Sequence, residues 1–347
     1  MIPVALAAGL IVALAPDSDD DAAPVVSSTT TTTLRGPTPE GEAWQTRIDD
    51  AFDPLADRLP EFVEGSVKWV AGEKPTDAFS ADLQRILPEL VRARDAVAAV
   101  PALEEAPTAR DLYRDAAALY VEVARIYLVA VEPDADPLKA QLDLAARRLR
   151  TLADRVYDRA RALIDPSSQQ DLDSEDVEIR RPPEVPDWVA EGLAAGSPLT
   201  GAPPPAAETP PQREDVRPEE PVKKWLDRVR DEDIATPREL ARRIDGGDEG
   251  ELASVASDYY SAAMRLRDAP DPAGGRERGA LLGLSLLVHS EAARLGQAAA
   301  TLPDGAPRAR LQSVARRVTL VAEDTLEPDV RGQASGLDPG LLTEPGP

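Results

Sequence analysis

Apolar residues recur at steps of three and four along two long stretches of the chain, the spacing of helices that bury one side. In the first stretch, residues 40–165, this spacing predicts an opening helical region at 40–60 and helices at 77–100, 109–131 and 137–163. In the second stretch helical character returns at residue 224, and helices are predicted at 237–246, 251–268, 276–300 and 308–327. We therefore predict an all-α fold of two small antiparallel helical bundles.

Local signals predict where individual helices begin and end. Thr236 and Glu239 form a capping box around Pro237, and Gly246 is the expected stop of that helix. In the first stretch, Asp136 is expected to cap the last helix, with a proline at its first helical position. These signals place helix ends at loops rich in proline and glycine.

The last helix of the first stretch carries the most regular apolar pattern. Thr108 is expected to cap the helix before it, and Pro54 and Pro60 are expected to break or kink the opening region. Apolar residues alternate between steps of three and four along the last helix, interrupted once by Arg159: Leu138, Leu142, Ala145, Leu149, Leu152, Val156 and Leu163. This is the heptad seam of antiparallel bundles and coiled coils.

The two helical stretches resemble copies of each other. The sequence Arg-Ala-Arg-Asp-Ala at 92–96 has a counterpart, Arg-Leu-Arg-Asp-Ala, at 265–269, and Ala-Arg-Arg at 146–148 recurs at 315–317. The two intervals differ by four residues, which a shorter loop near residue 304 would absorb. An internal duplication is therefore predicted, although helices rich in alanine, arginine and leucine also produce such matches by chance.

Composition divides the rest of the chain into segments without a helical pattern. Residues 166–221 are rich in proline, so a linker is predicted between bundle 1 at 40–165 and bundle 2 at 222–330. Within it, the apolar turn at 188–193 is either a docking motif or loosely packed linker. Residues 331–347 are predicted to be a disordered tail.

The N-terminus predicts a route out of the cytoplasm. Residues 1–16 form a hydrophobic signal or anchor segment whose apolar run, about 20 Å long as a helix, is shorter than the roughly 30 Å core of a bilayer. Residues 17–39 are acidic and rich in serine and threonine, as expected for a disordered stalk. Pro16 follows a small-residue cleavage pattern and would hinder cleavage. An uncleaved, single-pass anchor with an extracytoplasmic bulk is therefore favoured, and a secreted protein is the alternative.

Charge and composition exclude several classes of function. The net charge is −24, so the surface repels phosphate and we expect no nucleic-acid partner. The chain contains no cysteine, which excludes disulfides, thiolate nucleophiles and zinc–thiolate sites. Its one histidine, His289, leaves little room for a histidine-based metal site or catalytic triad. We predict no cofactor and no metal.

No catalytic residue is predicted. His289 has only Ser290 and Glu291 beside it, and a tolerated helix histidine is the favoured interpretation. Pairs of acidic residues at 49–50 and 104–105, and the acidic cluster at 231–233, lie at predicted helix ends or in loops, where they offset the helix dipole. The one candidate binding feature is a ridge of tyrosines at seven-residue spacing, which either binds a partner or packs on the flank of the bundle: Tyr113, Tyr120 and Tyr127.

These features predict a non-enzymatic, envelope-associated interaction or scaffold module. It would reach the membrane through its N-terminal segment and bind an envelope protein. The alternative is an extracytoplasmic hydrolase that uses acidic residues in a groove between the bundles. A secreted ligand-binding bundle is a third interpretation. The apolar leader, threonine tract and Ala/Arg/Asp-rich helices resemble exported proteins of high-GC bacteria.

Overall fold

The computed structural model describes residues 37–165, 234–268 and 276–324, and these residues confirm the all-α prediction. They form eight α-helices and one short 3-10 helix, with no strand in the described ranges. The helices of the first stretch are α1 (Pro39–Val70), α2 (Thr76–Ala99), α3 (Ala109–Ala130), the 3-10 helix Pro133–Leu138 and α4 (Lys139–Ile164). Those of the second are α5 (Pro237–Gly246), α6 (Glu249–Asp268), α7 (Arg276–Thr301) and α8 (Ala306–Asp324).

Several predicted segments lie outside the described residues. They are the hydrophobic segment at 1–16, nearly all of the stalk, the linker with its apolar turn at 188–193, and the tail at 331–347. Within the described ranges, none of the helices has an apolar stretch long enough to cross a bilayer.

The capping box of α5 is confirmed. The Thr236 hydroxyl accepts a hydrogen bond from the Glu239 amide (3.2 Å), and the Glu239 carboxylate accepts one from the Thr236 amide (2.9 Å). Gly246 is the last helical residue, as expected. The next residue, Gly247, has a positive φ of 66°, which lets the chain leave the helix without strain.

Three local predictions in the first stretch are wrong, wholly or in part. Pro54 and Pro60 do not break α1, because apolar residues before, between and after the prolines stay buried on one face of a continuous helix. Thr108 stands at the start of α3, but its side chain caps no backbone group. Asp136 does not cap α4, because a 3-10 helix that begins at Pro133 carries the chain into it.

The two groups of helices, half 1 (α1–α4) and half 2 (α5–α8), pack against each other. Helix α3 contacts α8, and α4 contacts α7, so one hydrophobic core runs through both halves. As a result α3 is buried all round, including its charged residues Asp115 and Glu122, which are 2% and 3% exposed. The sequence predicted two bundles joined by a linker, whereas the described residues place both in one body.

A close approach within half 2 gives a first prediction. A Cβ at Gly296 on α7 would lie 2.8 Å from Cγ1 of Ile244 and 3.5 Å from Leu252, so Gly296→Ala forces neighbouring helices apart. We expect it to lower the free energy of unfolding by about 1–2 kcal/mol, although alanine favours helix. On the same helix, Gly283→Ala is the control, because its Cβ would meet Leu266 at an ordinary 3.8 Å.

Urea unfolding of the two glycine variants checks this prediction. Gly283→Ala is expected to be stabilised by about 0.5–1 kcal/mol through helix propensity alone. If Gly296→Ala were stabilised to the same extent, the close packing of α7 against α5 and α6 would be contradicted.

Candidate functional site

The three tyrosines of the predicted ridge lie inside half 1. Tyr113, Tyr120 and Tyr127 are 0%, 5% and 2% exposed, so they form no exposed ridge that a partner could reach. Their hydroxyl groups donate hydrogen bonds to Gln45 (2.9 Å) on α1 and to Asp154 and Asp143 (2.6 Å) on α4. Seven-residue spacing therefore aligns them along the α1 and α4 side of α3, as internal packing does.

Burial sets the protonation of this tyrosine row. Loss of water raises the pKa of all three hydroxyl groups, so they stay protonated donors. Asp143 accepts hydrogen bonds from Tyr127 and from Arg147 Nε (2.9 Å). Even so, desolvation raises the pKa of Asp143 above its ordinary value, because the carboxyl group is almost wholly buried.

The raised pKa of Asp143 predicts a pH dependence of stability. The folded state binds this proton more tightly than the unfolded chain, so its stabilising contribution is complete below the ordinary pKa of 3.8. That contribution is lost as the pH rises through the folded pKa. The asparagine of Asp143→Asn is neutral at every pH. The melting temperature of this variant should therefore rise relative to that of the native chain between acidic and neutral pH. A gap between the two melting curves that does not change with pH would contradict this.

The other sequence candidates do not come together. His289 is 3% exposed, stacks on the Tyr259 ring at 4.9 Å and places Nδ1 2.8 Å from the Ser285 carbonyl oxygen. The acidic pairs at 49–50 and 104–105 are exposed, and the cluster at 231–233 lies outside the described residues. In the described part of the chain, no three acidic or histidine side chains are grouped as metal ligands would be.

Buried charged residues also pair where half 1 meets half 2. Glu122 on α3 accepts a hydrogen bond from Nε of Arg317 on α8 at 2.8 Å, and its same oxygen contacts Arg125 one turn along α3. Glu291 on α7 has the same neighbours. Its Oε1 lies 3.8 Å from both Arg148 on α4 and Arg294 one turn along α7.

These two sets of three residues are equivalent positions of the two halves. Each member of the first half has its counterpart 169 residues later: Glu122 and Glu291, Arg125 and Arg294, Arg148 and Arg317. The contacts are reciprocal, because the glutamate of each half faces the arginine of the other. This is how two copies of one surface meet in an isologous dimer. We call the six residues the reciprocal Glu–Arg interface.

The same interval relates further buried polar residues. It matches Tyr120 with His289 and Asp154 with Glu323, and the Tyr120 hydroxyl donates to Asp154 across α3 and α4. His289 and Glu323 are buried at the corresponding places of half 2. The predicted match of Ala-Arg-Arg at 146–148 and 315–317 falls on α4 and α8, which take equivalent positions.

The two halves of the interface differ in tightness. Arg317 is anchored by a second hydrogen bond, from Nη1 to the Ser313 hydroxyl at 2.6 Å, and its side chain is 12% exposed. At the position equivalent to Ser313 stands Leu144, which has no hydroxyl to offer. Arg148 is 29% exposed and lies 3.8 Å from its glutamate. The Glu122 side is therefore the stronger contact between the halves.

Burial makes these charges costly to hold. Desolvation lowers the pKa of Arg294, and Glu291 acts in the opposite direction. In both glutamates Oε1 faces the two guanidinium groups, and in both the buried Oε2 has no hydrogen-bond partner among the described residues. Buried ion pairs contribute little net stability, but removing one partner leaves a buried charge uncompensated. The arginine partners therefore keep the buried glutamates compensated.

A surface cavity adjoins the end of this contact. Arg310 of α8 pairs with Glu132, just beyond α3. Glu132 also lines a cavity of about 350 Å³, together with Trp69 and Lys139. The Lys139 ammonium lies 4.0 Å above the centre of the Trp69 ring. This cation–π contact joins two of the residues that line the cavity.

The geometry makes the reciprocal interface a structural element. The carboxylates buried between the halves are ion-paired with arginine, which does not support the hydrolase alternative. The sequence analysis did not identify Glu122 and Arg125, although the sequence contains a signal for them. The interval that separates the two Ala-Arg-Arg motifs also separates two Glu-x-x-Arg motifs. Comparisons with protein-family models, curated proteins and solved structures give no match to this chain.

Proposed function

We propose that the protein is a non-enzymatic interaction scaffold of the cell envelope. An N-terminal hydrophobic segment anchors it in the membrane, and its helical body stands outside the cytoplasm and binds an envelope protein. The observation that carries the scaffold part is the reciprocal Glu–Arg interface, where the two halves pack into one body whose outer surface is available to a partner.

The use of the chain's polar side chains supports a structural role. The buried tyrosine row binds α1 and α4, and the buried glutamates and arginines bind half 1 to half 2. These tyrosines, glutamates and arginines are thus engaged in helix–helix contacts. The outer faces remain for a partner, and the net charge of −24 favours a partner with a basic surface.

The leader sequence supports the envelope location. The uncharged run at 2–15, the acidic cluster after it and the threonine tract are the order of parts expected for an anchor and a stalk. Absence of lysine and arginine just after the run favours export of the chain on its C-terminal side. The anchor and the stalk would hold the helical body at a distance from the bilayer.

Single-cysteine labelling in intact bacterial cells tests the location. The chain has no cysteine, so Val67→Cys on the exposed part of α1 gives one reactive thiol, and the buried Phe79→Cys is its matched control. A membrane-impermeant maleimide should label Val67→Cys before lysis and leave Phe79→Cys unlabelled. Labelling of Val67→Cys only after lysis would overturn the proposed location.

Membrane fractionation tests the anchor. Leu10→Arg places a charge in the apolar run and should move the protein out of the carbonate-resistant membrane fraction, because a charge costs about 2.5–3.5 kcal/mol within a spanning helix. Thr31→Arg adds the same charge in the threonine tract and should leave fractionation unchanged. If the native chain is found in the medium or washes off with carbonate, the anchor is contradicted.

A further inference from the structure

We infer that a second copy of this chain can take the place of the chain's own second half at the surface between the halves. In such an exchanged dimer, half 1 of one chain packs on half 2 of another through the reciprocal Glu–Arg interface. The inference concerns self-association and goes beyond the proposed envelope function, on which it does not depend.

The first support is that the interface is complete within each pair of halves. Glu122 needs only an Arg317, and Arg148 only a Glu291, so it makes no difference whether these residues come from the same chain. The contact between Arg310 and Glu132 behaves in the same way. An exchanged dimer would therefore retain the ion pairs and the apolar contacts of α3 on α8 and α4 on α7.

The second support is the reciprocity of the contact. Each half presents a glutamate and an arginine at equivalent positions and receives their opposites, which is the arrangement of a symmetric association between two like subunits. Half 1 carries Glu122 and Arg148, and half 2 carries Glu291 and Arg317. The contact between the halves therefore has the pattern of a symmetric dimer interface.

The third support is the length of chain between the halves. Residues 166–233 separate the last described residue of half 1 from the first of half 2, and the sequence of 166–221 predicts a linker. The effective concentration of tethered halves falls as their linker lengthens, so a long linker lowers the protein concentration at which exchange competes with closure within one chain. Exchange then competes as the protein concentration rises towards the millimolar range.

Cross-linking between differently substituted full-length chains tests this inference. One chain carries Glu132→Cys and the other Arg310→Cys, at two residues that contact each other across the halves and lie at the surface. The chains are mixed at high concentration, taken through mild denaturant and back, and treated with a short bis-maleimide. The exchanged dimer should give a cross-linked product of one chain of each kind, at a yield that rises several-fold with concentration.

Two controls decide the outcome. Glu104→Cys replaces Glu132→Cys in the matched control, because it precedes α3 and lies about 30 Å from the other end of that helix. This pair should give no product. A single chain with both Glu132→Cys and Arg310→Cys should cross-link internally. Internal cross-linking without any mixed product overturns the inference, as does equal product from the control pair. Failure of the internal cross-link overturns the interface itself.

Discussion

Replacing Arg317 by methionine should lower the free energy of unfolding by about 3 kcal/mol. Arg317 is 12% exposed and its partner Glu122 3%, so the substitution removes one of the two guanidinium groups that face a buried carboxylate. Loss of a buried partner usually costs about 3–5 kcal/mol, and the remaining contact with Arg125 places this case at the lower end. Urea unfolding followed by circular dichroism measures the change.

The equivalent substitution in the other half is the matched control. Arg148→Met should cost only about 1 kcal/mol, because Arg148 is 29% exposed and 3.8 Å from Glu291. Adding Glu122→Gln to Arg317→Met should restore most of the lost stability, since the buried negative charge that Arg317 compensated is then removed. Equal losses in the two arginine variants, or no recovery in the double variant, would contradict the described asymmetry.

Replacing Trp69 by alanine should lower the free energy of unfolding by about 3–5 kcal/mol, as for other buried aromatic residues. Trp69 is 1% exposed and lies at the end of α1. Its ring stacks on Phe79 at 5.1 Å and meets Tyr127 edge-on at 6.2 Å. Its Nε1 donates to the Thr76 hydroxyl at 3.1 Å. The substitution therefore opens a cavity where α1, α2 and α3 meet.

Val67→Ala provides the control for this cavity. Val67 lies two residues before Trp69 on α1, but it is 45% exposed, so its truncation should change the free energy of unfolding by less than about 0.5 kcal/mol. A loss below about 1 kcal/mol in Trp69→Ala would show that the aromatic contacts at this end of half 1 are not formed.

Much of the fold follows from local patterns in the sequence. The predicted heptad seam is buried as its period predicts, except for the partly buried Leu163, and the α5 capping box and the ends of α3 and α7 lie within about one residue of expectation. The wrong predictions concern local signals. Pro54 and Pro60 were expected to break or kink the opening region, but the buried face on both sides of each proline keeps α1 continuous despite the missing hydrogen bonds.

The packing of the two halves could not be read from periodicity. A helix that is buried on one side shows one apolar stripe, and α3 shows such a stripe together with Asp115 and Glu122 on its other sides. Within α3 alone, charged residues on these sides predict a solvated face. The arginine that pairs with Glu122 lies 195 residues away on α8, so no local pattern shows the pair. The sequences of the two halves must be aligned before Glu122 and Arg317 can be recognised as members of equivalent pairs.

The tyrosine row gives the same lesson at the scale of one helix. Its seven-residue spacing correctly indicates that the three rings share a face of α3, but spacing does not say whether that face is covered. Hydrogen bonds from the hydroxyl groups to Gln45, Asp154 and Asp143 cover it with α1 and α4. Tyrosine suits both surfaces and interiors, since its ring is apolar and its hydroxyl finds a partner.

Native-state hydrogen exchange tests the claim that the two halves form one cooperative body most directly. Exchange of α3 and α7 amides is measured by mass spectrometry of peptides at rising denaturant, in the native chain and in Arg317→Met. We predict that the most protected amides of both helices share one free energy of opening, and that Arg317→Met lowers both equally. The account would be contradicted if the free energy of opening of α7 were well below that of α3 and if Arg317→Met left that of α3 unchanged.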